Sequence, residues 1–287
     1  MSGTVDLLES LGLERSCTTS RDSIRFGQGF RGIDRAEVRL AVHAFGPHRH
    51  DDYAIGITTA GVQKFKYRGG IHFCVPGQMH ILHPDEEHDG GPGTDEGFAY
   101  RIFYIAAEAI RAALGDKELP FVSEPVQDPV GQLCSIKSWL ADIDDPIRDL
   151  SHVDITAIIA DSLATLAHPS KVMNYGFIDI RAVDLAREYL SAHACEQTSA
   201  ATLEQITGQD RYTLSRQFRR AFGTSPDRYR TLRRVALARK AIELGEPIAQ
   251  VATETGFADQ SHLTRQFKRT YGITPAIWAS LTQNAAA

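Results

Sequence analysis

Apolar residues change their spacing along the 287-residue chain. Between residues 36 and 105 they alternate with polar ones or form short compact runs: AEVRLAVHAF (36–45), YAIGITTAG (53–61), VQKFKYRGG (62–70), IHFCV (71–75), MHILH (79–83) and FAYRIFYI (98–105). Gly-Pro, Gly-Gly, Pro-Gly and Pro-Asp pairs punctuate them. Period-two runs bounded by turn residues predict β-strands, and strands this closely spaced predict a small barrel or sandwich. Helical spacing follows at 107–114, 126–143 and 147–167. Val130, Leu133, Lys137 and Leu140 share one side of the second of these helices, and Val153, Ile158, Ile159, Leu163 and Leu166 stripe the third. They either cover the sheet or pair with their copies in a homodimer. HPSKVMNYG (168–176), with Pro, Asn and Gly, predicts a linker. Beyond it the pattern is helical throughout, beginning with Ala182, Val183, Ala186, Tyr189 and Leu190 on one face.

The helical half says one thing twice. LSRQFRRAFGTSP (214–226) returns 49 residues later as LTRQFKRTYGITP (263–275). In the first copy a short helix at 201–207 breaks at Gly208, Asp210 caps the next helix, and Gly223 stops it. Ser225 and Pro226 then open a long helix that runs to Gly245. In the second copy Pro247, Asp259, Gly272 and Thr274-Pro275 mark the same plan. This is helix, turn, helix in duplicate. Leu214 and Phe218, like Leu263 and Phe267, are four apart and face the core of each unit. Ser215, Arg216 and Arg219, like Thr264, Arg265 and Lys268, lie on the opposite side, which a second helix presents to a major groove. An arginine fork can meet guanine O6 and N7 together, whereas a Lys or Arg one turn on neutralises phosphate. The long connecting helix, about 30 Å at about 1.5 Å per residue, approaches the roughly 34 Å of one turn of B-DNA.

Charge strengthens this reading. Residues 1–175 carry sixteen basic against twenty-five acidic side chains, whereas 176–287 carry fifteen against eleven. Within 211–240, ten basic residues face the single acid Asp227, a density that favours a polyanionic partner. Cys17, Cys74, Cys134 and Cys195 are scattered without metal spacing and read as reduced thiols. An acidic N-terminus and the lack of a long apolar run place the protein in the cytoplasm, away from the membrane.

The C-terminal stretch, and above all IAQVATETGFADQSHLTRQFKRTYGITPAIW, resembles the DNA-binding domain of the AraC/XylS family of bacterial transcription regulators. In the first unit Glu204 stands where that family usually has a small Ala. The resemblance implies base contacts from Tyr212, Ser215 and Arg216 in the first unit and from Ser261, Thr264 and Arg265 in the second. Arg219 and Lys268 join them as the next basic residues on the same face. From Gly46-Pro47-His48-Arg49-His50 to Tyr104, the acidic half resembles the cupin-like effector domain of the same family. The expected protein is therefore of the α+β class with two domains. A cupin-like β-barrel with flanking helices fills 1–167, and an all-α domain with two helix-turn-helix units fills 177–287. Double-stranded DNA, a small-molecule effector and, for an activator, RNA polymerase are the partners implied.

For the effector, polar side chains at the barrel mouth or inside it are the candidates: His48, His50, His88 and Tyr100. Alternation puts Tyr100 on one face of its strand and Arg101 on the other, and position relative to the family's pocket strand selects Tyr100. His48-x-His50 with His88 is also the skeleton of a cupin metal site, but Ala54 and Ile55 stand where its Glu belongs. No metal or other cofactor is expected, and no catalytic residue: neither a paired nucleophile, a phosphate-binding loop nor HExxH appears. A cupin enzyme tethered to DNA, or a barrel that only dimerises, are the alternatives.

Overall fold

The computed structural model describes residues 22–115, 117–167 and 178–284, so the expected linker at 168–176 lies outside it. Among the described residues, ten strands precede the helical half: β1 (Ser23–Phe26), β2 (Ile33–Leu40), β3 (Phe45–His48), β4 (Asp52–Gly61), β5 (Gln63–Tyr67), β6 (Gly70–Cys74), β7 (Met79–Leu82), β8 (His88–Pro92), β9 (Phe98–Ala106) and β10 (Val126–Gln127). They pair antiparallel in two sheets, β1-β2-β9-β4-β7-β10 and β3-β8-β5-β6, rather than in one closed barrel.

Alternation decides what each face buries. Val38, Leu40, Ala54, Leu82, Tyr100 and Ile102 of the larger sheet meet Phe65 and Tyr67 of the smaller one. The other face of the larger sheet, with Ile33, Tyr53, Ile55, Met79, Ile81 and Phe103, is covered by helices α1 (Ala107–Ala113), α2 (Leu133–Trp139) and α3 (Asp149–Leu166).

Two sequence expectations are corrected. The run 36–45 is not one strand, because β2 ends at Leu40 and the chain bends before β3. Buried Asp22 holds that bend by accepting from the Ala41, Val42 and His43 amides, with 2.5 Å to Ala41 and 2.7 Å to His43. The helix expected at 126–143 is cut to α2. Val126 and Gln127 pair with His80 and Met79, Gly131 takes φ +57°, and Val130 is 70% exposed. At the other end, the buried Arg35 guanidinium donates to the carbonyls of Trp139 (3.2 Å), Asp142 (2.9 Å) and Asp145. Carbonyls from residues 139, 142 and 145 that converge on one cation are not aligned along a common helix axis, so the chain leaves the helix here.

The helical half contains α4 (Ile180–Ala192), α5 (Ala200–Thr207), α6 (Arg211–Phe222), α7 (Pro226–Glu243), α8 (Ile248–Glu254), α9 (Gln260–Tyr271) and α10 (Pro275–Asn284). Asp210 caps α6 through the Tyr212 and Thr213 amides, Asp259 caps α9 through His262, and Ser225 caps α7 through Arg228. Gly223 and Gly272 end α6 and α9 at φ +74° and +76°.

This half docks on exposed sheet edges, which would otherwise present unpaired backbone groups. The Gly46 and Arg49 amides donate to the carbonyls of Gly272 and Arg269, both at 3.0 Å, and α10 packs on β1. Ion pairs cross the same boundary: Arg239 to Asp34 (2.9 Å), Arg111 to Asp184 (2.8 Å), Arg220 to Glu118 (2.5 Å) and Arg233 to Asp51.

Candidate functional site

In α6 and α9 the repeated letters divide by face. Leu214, Phe218, Leu263 and Phe267 are buried. Tyr212 is 71% exposed, and Arg216, Arg219, Ser261, Arg265 and Lys268 are exposed, with Ser215 and Thr264 half-buried beside them. Among the described residues, none of Arg216, Arg219, Arg265 and Lys268 has a carboxylate at salt-bridge distance. Arg216 Nη2 donates to Thr213 Oγ1 (3.1 Å), which lays its fork along the face. Glu204 accepts from the Arg211 amide (2.9 Å) and Nε (2.8 Å) through one oxygen, and from Nη2 (2.8 Å) through the other. The acid that departs from the family's small residue is thereby tied to the start of α6.

Four other residues of the basic cluster behave differently from the sequence expectation. Arg220, Arg228, Arg233 and Arg239 point at Glu118, Asp85, Asp51 and Asp34 of the acidic half. Part of the polyanionic partner implied by charge is thus the protein's own N-terminal domain. Coulomb complementarity between domains and affinity for DNA leave the same compositional trace.

The second site is a cavity of about 40 Å³ between the two sheets. Pairing of β3 with β8 sets His48 opposite His88, and His50 follows two residues on. The imidazole centroids lie 4.2 Å (His48–His88), 4.8 Å (His50–His88) and 6.2 Å (His48–His50) apart. Each Nδ1 meets a backbone carbonyl: His48 to Gly46 (2.8 Å), His50 to Asp52 (2.8 Å) and His88 to Glu86 (2.9 Å). Tyr100 stands on the cavity wall, 5.5 Å from the His80 ring. Arg101 points to the other face, where Nε donates to Glu37 (2.7 Å) and the guanidinium caps the Leu140 and Ala141 carbonyls. Among the described residues, no group of three His, Cys, Asp or Glu is disposed to hold a metal ion.

Burial sets the protonation of this cluster. It lowers His48 well below the usual histidine value, His50 and His80 to about 3, and His88 to about 4. The neighbouring imidazoles add to the effect on His48, His50 and His80. Burial also pushes Tyr100 up and Tyr104 to about 12. Folded protein therefore holds these histidines neutral, while the unfolded chain takes up protons below about pH 6.5. Their contribution is intact above pH 6.5 and is lost progressively as pH falls through about 4 to 3. At pH 5 the cost is on the order of 2 kcal/mol for each of His50, His80 and His88, from about 1.4 kcal/mol per pH unit. Asp52, raised by its own burial and by Asp51, offsets part of this. Thermal melts are expected to show a progressive fall in stability from pH 7 to 5; a flat profile would contradict the neutral cluster.

Sequence reasoning did not find His80, Gln63, Tyr271 or Trp278, which also line the cavity. Alternation in MHILH carried the signal for His80. Tyr271 ends α9 and Trp278 lies in α10, so they reach the cavity only through docking, which no local pattern encodes. A larger cleft of about 770 Å³ between the two halves shares Phe26, His50, Tyr104, Tyr271 and Trp278 with the cavity. Its charged walls include the pairs Arg233–Asp51 and Arg239–Asp34.

Comparison with known proteins matches both halves. Residues 30–170 fit the model of the AraC-like ligand binding domain, and 203–280 fit that of a helix-turn-helix domain. The HTH-type transcriptional regulator YbfI of Bacillus subtilis (strain 168) is 26% identical over 237 residues, covering 80% of this chain and 86% of YbfI. ToxT from Vibrio cholerae superimposes with a TM-score of 0.62 at 15% identity, over 88% of this chain and 99% of ToxT. ToxT bound to an unsaturated fatty acid gives 0.57 at 15% identity, over 91% and 95%. At these identities the likeness to ToxT is one of fold.

Proposed function

This chain belongs to the AraC family of transcription regulators, and we propose on that footing that a small molecule held between its β-sheets controls how its second helix-turn-helix unit meets DNA. The observation that carries this reading is the shared wall. Tyr271, the last residue of the helix that bears Thr264, Arg265 and Lys268, lines the same cavity as His48, His50, His88 and Tyr100. An occupant of that cavity touches the end of a DNA-reading helix directly. A ligand whose affinity differs between two arrangements of that helix shifts DNA affinity by at most that factor, and DNA shifts the ligand's affinity equally in return.

In this proposal Tyr212, Ser215 and Arg216 read one major groove, and Ser261, Thr264 and Arg265 read the next. Arg219 and Lys268 lie on phosphates. The small molecule bound to ToxT supports the idea that this fold carries an effector. Activation, with RNA polymerase as partner, is the family behaviour we assign to it. Leu150 and Val153 on α3, 80% and 58% exposed, support a homodimer. No helix is long and apolar enough to cross a membrane among the described residues, in keeping with a cytoplasmic regulator. We assign it no catalytic step.

The test is a metabolite screen by thermal shift on the full chain, with each hit then titrated against DNA binding. The expected hit raises the melting temperature and shifts the DNA dissociation constant at least several-fold. Hits that stabilise the protein yet leave DNA affinity unchanged at saturation would remove the cavity from regulation.

A further inference from the structure

We infer that the cavity between the sheets selects a small uncharged ligand rich in hydrogen-bond donors, of the polyol class, which it grips through the Nε2 atoms of His48, His50 and His88. The inference rests on the reading of that cavity as the effector site, and it names the chemistry the site accepts. A carbonyl oxygen can only accept, so the 2.8 to 2.9 Å contacts from Gly46, Asp52 and Glu86 put the ring proton on Nδ1 in all three histidines. A neutral ring with its proton on Nδ1 leaves Nε2 a bare lone pair. Among the described residues the only backbone carbonyls bonded to the His50 and His88 rings are those at Nδ1, whereas His48 also meets the His88 backbone, and the rings crowd within 4.2 to 6.2 Å of one another. Gln63 adds a further acceptor, since its Oε1 is buried without a partner.

The walls exclude the opposite chemistry. No lysine or arginine is among the described residues that line the cavity, and the one carboxylate there is Asp89. A ligand carboxylate would be buried against lone pairs with no cation to meet it, which is strongly unfavourable. The arginines lie outside, in the larger cleft, where Asp34 and Asp51 already hold Arg239 and Arg233. Hydroxyl protons, by contrast, satisfy three imidazoles at once, and the apolar walls from Ile24, Val38 and Ile102 suit the carbon face of such a molecule. Size adds a condition. A volume of about 40 Å³ holds roughly three water-sized groups at about 10 to 15 Å³ each. A longer polyol therefore enters only if Tyr271 and Trp278, the two side chains supplied by the DNA-binding domain, give way.

Two measurements on the full chain test this. The first needs no ligand: nitrogen NMR of histidine-labelled protein at pH 7 is expected to show His48, His50 and His88 neutral with the proton on Nδ1, each assigned by its His→Phe variant. A proton on Nε2, or a charged ring, in two of the three overturns the proposal. The second uses matched probes: alditols of three to six carbons, the aldonic acids of the same lengths, and zinc chloride. At least one alditol is expected to stabilise the protein and to lose at least tenfold in affinity in His50→Phe and His88→Phe. Binding of the acids in preference to the alditols, or of none of the alditols, overturns it. Zinc bound by the parent and lost in both variants also overturns it, reassigning the imidazoles as metal ligands. The outcomes are separable: an alditol that binds without changing DNA affinity refutes the regulatory reading and leaves the ligand chemistry standing.

Discussion

Trp278→Ala is expected to lower folding stability by about 3 to 5 kcal/mol, the usual cost of removing a large buried aromatic, and to abolish coupling between cavity and DNA. Trp278 is 4% exposed, and its ring centroid lies 4.8 Å from Tyr271, 5.7 Å from Phe267 and 5.7 Å from Phe26 of β1. Its Nε1 donates to Glu243 at 3.1 Å. One side chain thus packs the second helix-turn-helix core, seats that unit on a sheet edge and closes the cavity. Alanine leaves a void continuous with the existing space, so the neighbours cannot all collapse onto it. For a chain of this size the melting temperature is expected to fall on the order of 10 °C. Trp278→Phe separates the roles, since it retains most of the packing without the indole donor. It is expected to recover most of the stability and part of the ligand response. A Trp278→Ala protein that melts within a degree or two of the parent would show that α10 is not seated on β1.

Arg216→Ala and Arg265→Ala are expected each to cost about 1 to 3 kcal/mol on the specific DNA site and to relax preference at one or two base positions. Both side chains are exposed, have no carboxylate at salt-bridge distance among the described residues, and occupy the same position of the repeat. Truncating either should therefore remove the proposed base contact without disturbing a core. Lys268→Ala should instead weaken all sequences alike and reduce the salt slope by about one, as loss of a phosphate contact does. Competition binding on specific and random duplexes checks all three. Equal losses on both duplexes for both arginine variants would reassign them as phosphate contacts.

Much of this architecture was legible because local chemistry and tertiary structure agree. Asp210, Gly223, Asp259 and Gly272 mark helix ends by side-chain acceptors and left-handed φ, both local properties. Leu214 and Phe218 reveal a buried face by spacing alone. Reading failed where one long-range contact overrode the local pattern. Val130 has helical spacing yet is exposed, because β10 and the carbonyls gathered by Arg35 leave only seven residues for α2. Arg233 and Arg239 counted toward the basic density at 211–240, because composition does not reveal that Asp51 and Asp34 face them. The cavity was half legible: His48, His50, His88 and Tyr100 lie on its wall, but Trp278 reaches it from α10, far along the chain. The docking that brings it there also turns four of the ten basic residues at 211–240 toward the protein's own acids.

The most direct test of the whole account is selection of bound duplexes from a random pool by the full-length protein, followed by hydroxyl-radical footprinting of the enriched sequence. Two recognition helices joined by the eighteen residues of α7, about 27 Å long, should protect two blocks about 10 base pairs apart on one face of the duplex. Each block should carry its own base preference, the first lost in Arg216→Ala and the second in Arg265→Ala. Enrichment of no sequence, or a single protected block unchanged by either substitution, would contradict it.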